Sequence, residues 1–205
     1  MTAHSPKLAA TAPRSRARVV KALALLVGAV LLAIGGTYGW WTIAEYRLVT
    51  ISPGKVYQSA EIPPTELSTL AKAKGWKAVI DLRDTRPDAI AAERAALDAV
   101  GIRHLHVPSL QEPTTETIDR VLDLMGDPAN HPLLLHCEHG EGRSVLLAAL
   151  YRMRHEGWTA DAAWRGSARL PSVLSFLARW FPGLATFKPD SPKGRILFDY
   201  GERAR

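Results

Sequence analysis

The sequence predicts an α/β fold, a central and mostly parallel sheet flanked by helices, preceded by one N-terminal transmembrane helix. Three observations carry this. Short apolar runs alternate with amphipathic stretches of helical period. Two of those runs, 76–82 and 133–136, are solidly apolar toward their ends, as strands covered on both faces are. Residues 22–44 contain no charged side chain.

Taken in order, 47–51 and 55–59 read as short strands around the turn Ser52-Pro53-Gly54. Pro63-Pro64-Thr65 opens a helix with Leu67, Leu70 and Ala71 on one face and Gly75 at its end. Residues 76–82 form a buried strand. Residues 88–100 have helical spacing through Ile90, Ala91, Leu97 and Val100, and 102–107 alternates as a strand. On that strand His104 and His106 share a face and are expected to be exposed or satisfied structurally. Residues 114–125 predict a helix with Ile118, Val121, Leu122 and Met125 inward, 133–136 a strand, and 145–156 an apolar helix closed by Gly157. Helices are expected over 159–170 and 172–180, with Trp158, Trp164, Phe176, Trp180 and Phe181 in the core, and a C-terminal tail over 191–205.

The 22–44 stretch lies between Lys21 and Glu45. As a helix it is about 34 Å long, enough for a hydrocarbon core of about 30 Å. Tyr38, Trp40 and Trp41 mark its far end, where amphipathic rings favour the headgroup zone. Lys7, Arg14, Arg16, Arg18 and Lys21 precede it with no acid among them, so five of the six net positive charges of this 205-residue chain lie in 1–21. That bias predicts a single-pass protein of the cell membrane. Residues 1–21 form a basic cytoplasmic tail and the rest stands on the non-cytoplasmic (periplasmic or extracellular) side. A cleaved signal peptide is the competing reading, and the long apolar run without a clear Ala-x-Ala site weighs against it. The nearly balanced remainder shows no basic stripe interleaved with aromatics, so nucleic acid is excluded as a partner.

The chemistry concentrates in His136-Cys137-Glu138-His139-Gly140-Glu141-Gly142-Arg143-Ser144, between a strand and a helix. Such a loop aims successive backbone N–H groups at one point, and the helix dipole adds positive potential there. Gly140 and Gly142 are expected to allow the tight curl. Arg143 offers a bidentate fork to phosphate oxygens, and the same field lowers the pKa of Cys137, the single cysteine, toward a thiolate.

Cys-x5-Arg-Ser, preceded by His and with Gly three residues after the Cys, resembles the phosphate-binding loop of cysteine-dependent protein tyrosine phosphatases, above all their bacterial dual-specificity branch. Val56-Tyr57-Gln58-Ser59-Ala60, Val79-Ile80-Asp81-Leu82-Arg83 and Gly157-Trp158-Thr159-Ala160-Asp161-Ala162-Ala163 resemble further segments of that family in the right order. The resemblance implies a phosphatase domain over 46–190 that hydrolyses phosphate monoesters, phosphotyrosine or a related substrate, through a cysteinyl-phosphate and without cofactor or metal. Cys137 is then the nucleophile and Arg143 the substrate clamp. Ser144 donates to the departing thiolate, His136 orients the loop, and the backbone of Glu138, His139, Gly140, Glu141, Gly142 and Arg143 binds phosphate.

The family's general acid is an Asp on a loop preceding the Cys. The matching stretch, Val107-Pro108-Ser109-Leu110-Gln111-Glu112-Pro113, has none. Glu112 is the candidate substitute and Asp84 the second. Missing that Asp, the chain has an alternative reading as a pseudophosphatase that binds a phosphorylated partner without turnover. Glu138 and Glu141 make the loop acidic, which favours a substrate with a single phosphate. His136, Cys137 and His139 supply three close ligands with no second cluster, too few for the usual structural zinc site.

Overall fold

The computed structural model describes residues 13–203 apart from 169, 172, 173, 175, 176, 178 and 179. It divides into two units, the first ending at Trp40 and the second running from Trp41. Most of the first unit is helix α1 (Pro13–Ile43). It carries a candidate span over Arg16–Ile43 and exposes Leu23, Leu25, Leu31 and Leu32. Of the expected basic tail, 1–12 lies outside the described residues, and Arg16, Arg18 and Lys21 are within the helix. Trp41 belongs to the second unit: it is buried and its indole Nε1 donates to Leu48 O at 3.0 Å, so of the expected ring belt Trp40 alone of the two tryptophans is exposed.

The second unit contains β1 (Val49–Ser52), β2 (Val56–Ser59), α2 (Pro64–Lys74), β3 (Ala78–Asp81), α3 (Pro87–Asp98), β4 (Arg103–His106), α4 (Thr115–Gly126), β5 (Leu133–His136), α5 (Arg143–Glu156), α6 (Ala160–Arg165) and α7 (Pro192–Arg203). The sheet order is β1-β2-β5-β3-β4, with β1 antiparallel to β2 and the other neighbours parallel, so the sheet is mixed. Helix ends follow local chemistry. Gly75 and Gly157 close α2 and α5 in the left-handed region that a side chain disfavours, and the Thr114 hydroxyl caps α4 through the N–H of Thr117.

Strand alternation sorts the core. Ala78, Ile80, Leu133 and Leu135 face the side packed by α4, α5 and α7, with Ile118, Val121, Leu147 and Leu197. Val79 and Leu134 face α2 and α3, with Leu67, Ala71 and Leu97. By the same alternation Asp81 and His136, partners in the β3–β5 register, sit on the α3 side at the carboxyl ends of their strands.

Three expectations are corrected. The helix expected over 159–170 ends at Arg165, and the one over 172–180 falls largely on residues outside those described. Trp158, Trp180 and Phe181, expected in the core, are 38%, 74% and 58% exposed, and Phe176 lies outside the described residues. The stretch expected as a tail contains α7, because Leu197 is buried and Gly194 lets the first turn close on the chain before it.

Candidate active site

The loop from Cys137 to Gly142 leaves the centre of the sheet and enters α5. Gly140 has φ +65, and a Cβ there would fall 2.6 Å from Ala60 N, so glycine is needed for both conformation and space. Gly142 differs from the expectation. Its φ is −129, and a Cβ there would meet Lys193 Cε at 3.2 Å, so a neighbouring side chain rather than a left-handed backbone crowds it. No side chain caps α5, which leaves its first N–H groups to the loop.

Cys137 is 3% exposed. Its Sγ lies 3.2 Å from Ser144 Oγ. Burial pushes the thiol pKa up. Hydrogen bonds from the Ser144 hydroxyl and the N–H groups of Ser144 and Gly140, with the Arg143 charge, outweigh it and the net shift is down. Gln58 Nε2 donates to Ser144 Oγ at 3.0 Å and to Gly140 O at 3.2 Å, tying strand β2 to both ends of the cradle.

Arg143 is buried, and its Nη1 donates to Leu82 O at 3.1 Å, Ser109 O at 2.8 Å and Asp84 Oδ1 at 2.7 Å. Those three acceptors fix one corner of the guanidinium, while Nε and Nη2 make no hydrogen bond among the described residues. The placement explains Asp84: it holds the arginine.

His136 is buried, and its Nε2–H donates to Glu93 Oε1 at 2.9 Å, with Asp81 Oδ1 at 3.8 Å. His104 Nε2 stands 3.3 Å from Glu93 Oε1 and 3.5 Å from Asp81 Oδ2. Arg83 donates to Asp81 Oδ2 at 2.8 Å, Glu93 Oε2 at 2.6 Å and Glu61 Oε1 at 2.6 Å. Arg83, His104 and His136 thus meet three carboxylates under the loop. Burial alone would discharge them, but the opposed charges and the hydrogen bonds among them outweigh it. Glu93 is lowered to about 2, His104 raised to about 9, Asp81 lowered and His136 raised. Asp81, Glu93 and His136 each aim a ligand atom within 4.8 Å of the others, yet Arg83 already donates to both carboxylates, so a metal ion would have to displace a paired guanidinium. The network was not anticipated. Its visible signals were a carboxylate closing an apolar strand, Asp81, an imidazole closing the buried strand β5, His136, and a second imidazole within β4, His104.

The rim is paired too. Arg47 donates to His139 O at 2.7 Å and meets Glu141 Oε1 at 2.8 Å, while Arg86 lies 3.8 Å from Glu138 Oε1. Tyr46 and Arg47 both hold positive φ, 51 and 55, and Ala60 N donates to Tyr46 O at 2.8 Å. The chain just before β1 is therefore pinned to the loop after β5 in a strained conformation. The His139 ring is exposed. Glu112 is exposed and makes no polar contact among the described residues. Gln111 is the side chain of that loop that reaches Gly142, 3.9 Å from its Cβ position. The structure thus brings His136, Cys137, Arg143 and Ser144 together and leaves Glu112 outside.

Residues 65–171 match the model of a family described as DSP-PTPase phosphatase fused to NAD+ kinase. Over 73 residues the chain is 33% identical to the dual specificity protein phosphatase TpbA of Pseudomonas aeruginosa strain PAO1, covering 35% of this chain and 34% of that protein. The match spans about a third of the length of that relative. Among solved structures, Pseudomonas aeruginosa TpbA superposes with TM-score 0.51 at 23% identity, over 76% of this chain and 92% of that one. The G95A form of Tk-PTP gives 0.57 at 21%, over 77% and 95%. The core catalytic domain of the PP-IP phosphatase SIW14 from S. cerevisiae gives 0.56 at 18%, over 77% and 86%. These superpositions show a shared fold.

Proposed function

Because the chain belongs to the cysteine-dependent protein tyrosine phosphatase superfamily, in its bacterial dual-specificity-like branch, we propose that it hydrolyses phosphate monoesters through a cysteinyl-phosphate on Cys137. One observation carries the reading. A buried sulfur with a lowered pKa sits where a serine hydroxyl, two backbone N–H groups and a fixed guanidinium converge. In the first step the thiolate attacks phosphorus, an S–P bond forms, and the P–O bond to the leaving group breaks. Arg143 and the loop amides carry the charge on the equatorial oxygens. In the second, water attacks phosphorus, the S–P bond breaks, and the sulfur leaves as a thiolate that accepts a hydrogen bond from Ser144.

The similarity to a dual specificity protein phosphatase supports a phosphoprotein substrate. Glu112 is the acid available on the loop after β4, and it faces solvent here, so the reading favours aryl leaving groups, which depart with little protonation. A second reading, binding of a phosphorylated partner without turnover, is favoured by Gln111 standing over Gly142, since an amide delivers no proton. Turnover of p-nitrophenyl phosphate by the full chain in detergent decides between them. Release above the Cys137→Ser level supports hydrolysis, and none above that level supports the pure binder.

The same proposal places a domain over 46–190 outside the cytoplasm, with the N-terminal helix as membrane anchor. The apolar span and the basic residues before it support this. A reporter fused after Arg205 that is active only on the cytoplasmic side refutes that orientation.

A further inference from the structure

Lys193 stands at the lip of the phosphate loop, brought there by the first turn of α7. Leu197 is buried in the main core and anchors that helix. Gly194 seats its first turn: a Cβ there would fall 2.2 Å from Lys188 O and 2.3 Å from Pro189 O, so the turn closes directly on the preceding chain. From this seat Lys193 extends to Gly142. Its Cε and Nζ lie 3.2 and 3.7 Å from the point a Cβ on Gly142 would occupy, with Gln111 Oε1 3.9 Å from the same point. Gly142 immediately precedes Arg143, so the ammonium is beside the end of the loop that leads into Arg143.

The charges around it are matched. Glu141 is paired with Arg47 at 2.8 Å, Arg143 with Asp84 at 2.7 Å, and Glu138 has Arg86 at 3.8 Å. The two loop carboxylates, expected to repel further negative charge, are thus compensated. Lys193 is half-buried and makes no ion pair or hydrogen bond among the described residues.

Resting on the reading that this loop binds a phosphate monoester, we propose that Lys193 is a specificity-determining residue that, beside Gln111, takes a second anionic group of the substrate, a carboxylate or a further phosphate carried next to the scissile phosphate. A lysine ammonium is a compact charge with three rotatable donors, so it selects for negative charge near the ester rather than for one planar geometry. Partial burial keeps the attraction from being screened as a fully exposed pair is.

The test compares the full chain in detergent with Lys193→Gln and Lys193→Arg on three probes: phenyl phosphate, 3-carboxyphenyl phosphate and 1,3-phenylene bisphosphate. The parent is expected to favour the two doubly anionic probes in kcat/KM. Lys193→Gln should reduce that preference about fivefold, mainly through KM, and Lys193→Arg should retain most of it. The carboxylate and bisphosphate arms show which anion is preferred. An unchanged preference in Lys193→Gln, or an equal loss on all three probes, overturns the proposal. Calorimetric binding of the same probes to Cys137→Ser, with and without Lys193→Gln, separates this from a failure of the hydrolysis reading. Discrimination that depends on Lys193 sustains the proposal even in a chain without turnover, and its absence overturns it.

Discussion

Gln58 Nε2 donates to Ser144 Oγ across 3.0 Å, and Ser144 Oγ lies 3.2 Å from Cys137 Sγ. With its oxygen accepting from the amide, the serine turns its own hydrogen toward the sulfur. The bond matters most when sulfur leaves phosphorus as an anion. Ser144→Ala should therefore slow breakdown of the phosphoenzyme more than its formation. A hydrogen bond to a charged group is worth about 1.5–3 kcal/mol, so kcat should fall roughly 10- to 100-fold. Rapid-quench kinetics on p-nitrophenyl phosphate should show a burst and an accumulated phosphocysteine, and a steady rate without a burst contradicts the role. Gln58→Leu should show a weaker form of the same defect.

Glu93 touches His104, His136 and Arg83 at once, so Glu93→Gln removes the charge that balances the cluster beneath Cys137. Stripping one partner from a buried ionic network costs about 3–5 kcal/mol, which urea denaturation should read directly. Without the Glu93 carboxylate that raises it, the His136 pKa should fall, and the acid limb of the kcat/KM profile should shift with the disturbed loop. A variant that is less stable with an unmoved limb would show the network to be purely architectural.

The same cluster sets a pH window for stability. His104 is raised from 6.5 to about 9, so its contribution is complete below about 6.5 and is lost as pH rises through about 9. Glu93 is lowered from 4.5 to about 2, so its contribution is complete above about 4.5 and is lost as pH falls through about 2. Melting temperature should therefore peak between about pH 4.5 and 6.5 and decline on both sides. The alkaline decline should flatten in His104→Gln, and a profile identical to the parent's would count against the assignment.

The two loop glycines should respond differently. Gly140→Ala must adopt positive φ, costing roughly 1–2 kcal/mol, and its methyl would strike the Ala60 backbone. The displaced loop should lose about a hundredfold in kcat/KM. Gly142→Ala meets only the far end of Lys193, which can move, so its loss should be several-fold. Equal defects in both variants would mean that Gly140 is not what sets the curl.

Proton delivery can be probed from the loop after β4. Glu112→Gln should leave the aryl phosphate rate within about twofold, because that carboxylate faces solvent and aryl leaving groups need little help. Gln111→Glu places a carboxyl where the side chain reaches Gly142, and turnover of an alkyl phosphate should rise about tenfold or more. A sharp loss in Glu112→Gln would instead mean that the loop closes during turnover.

Sequence alone determined what short stretches of chain decide. The Cys137–Ser144 spacing between a buried strand and a helix is a local construction, so the loop, its cysteine and its arginine were legible, as was the alternation of strands and helices around it. The apolar 22–44 stretch was legible for the same reason. Tertiary structure alone decided how distant charges meet. Asp81, Glu93, His104 and His136 come from four elements and become one network only because strand register and the packing of α3 place them within a few ångströms, where Coulomb energies are large. Arg47 against Glu141, Asp84 against Arg143, and Lys193 over Gly142 are likewise long-range pairings. Periodicity states which face of an element is apolar but not which element will cover it, so the charge state of this site is a property of the assembled fold.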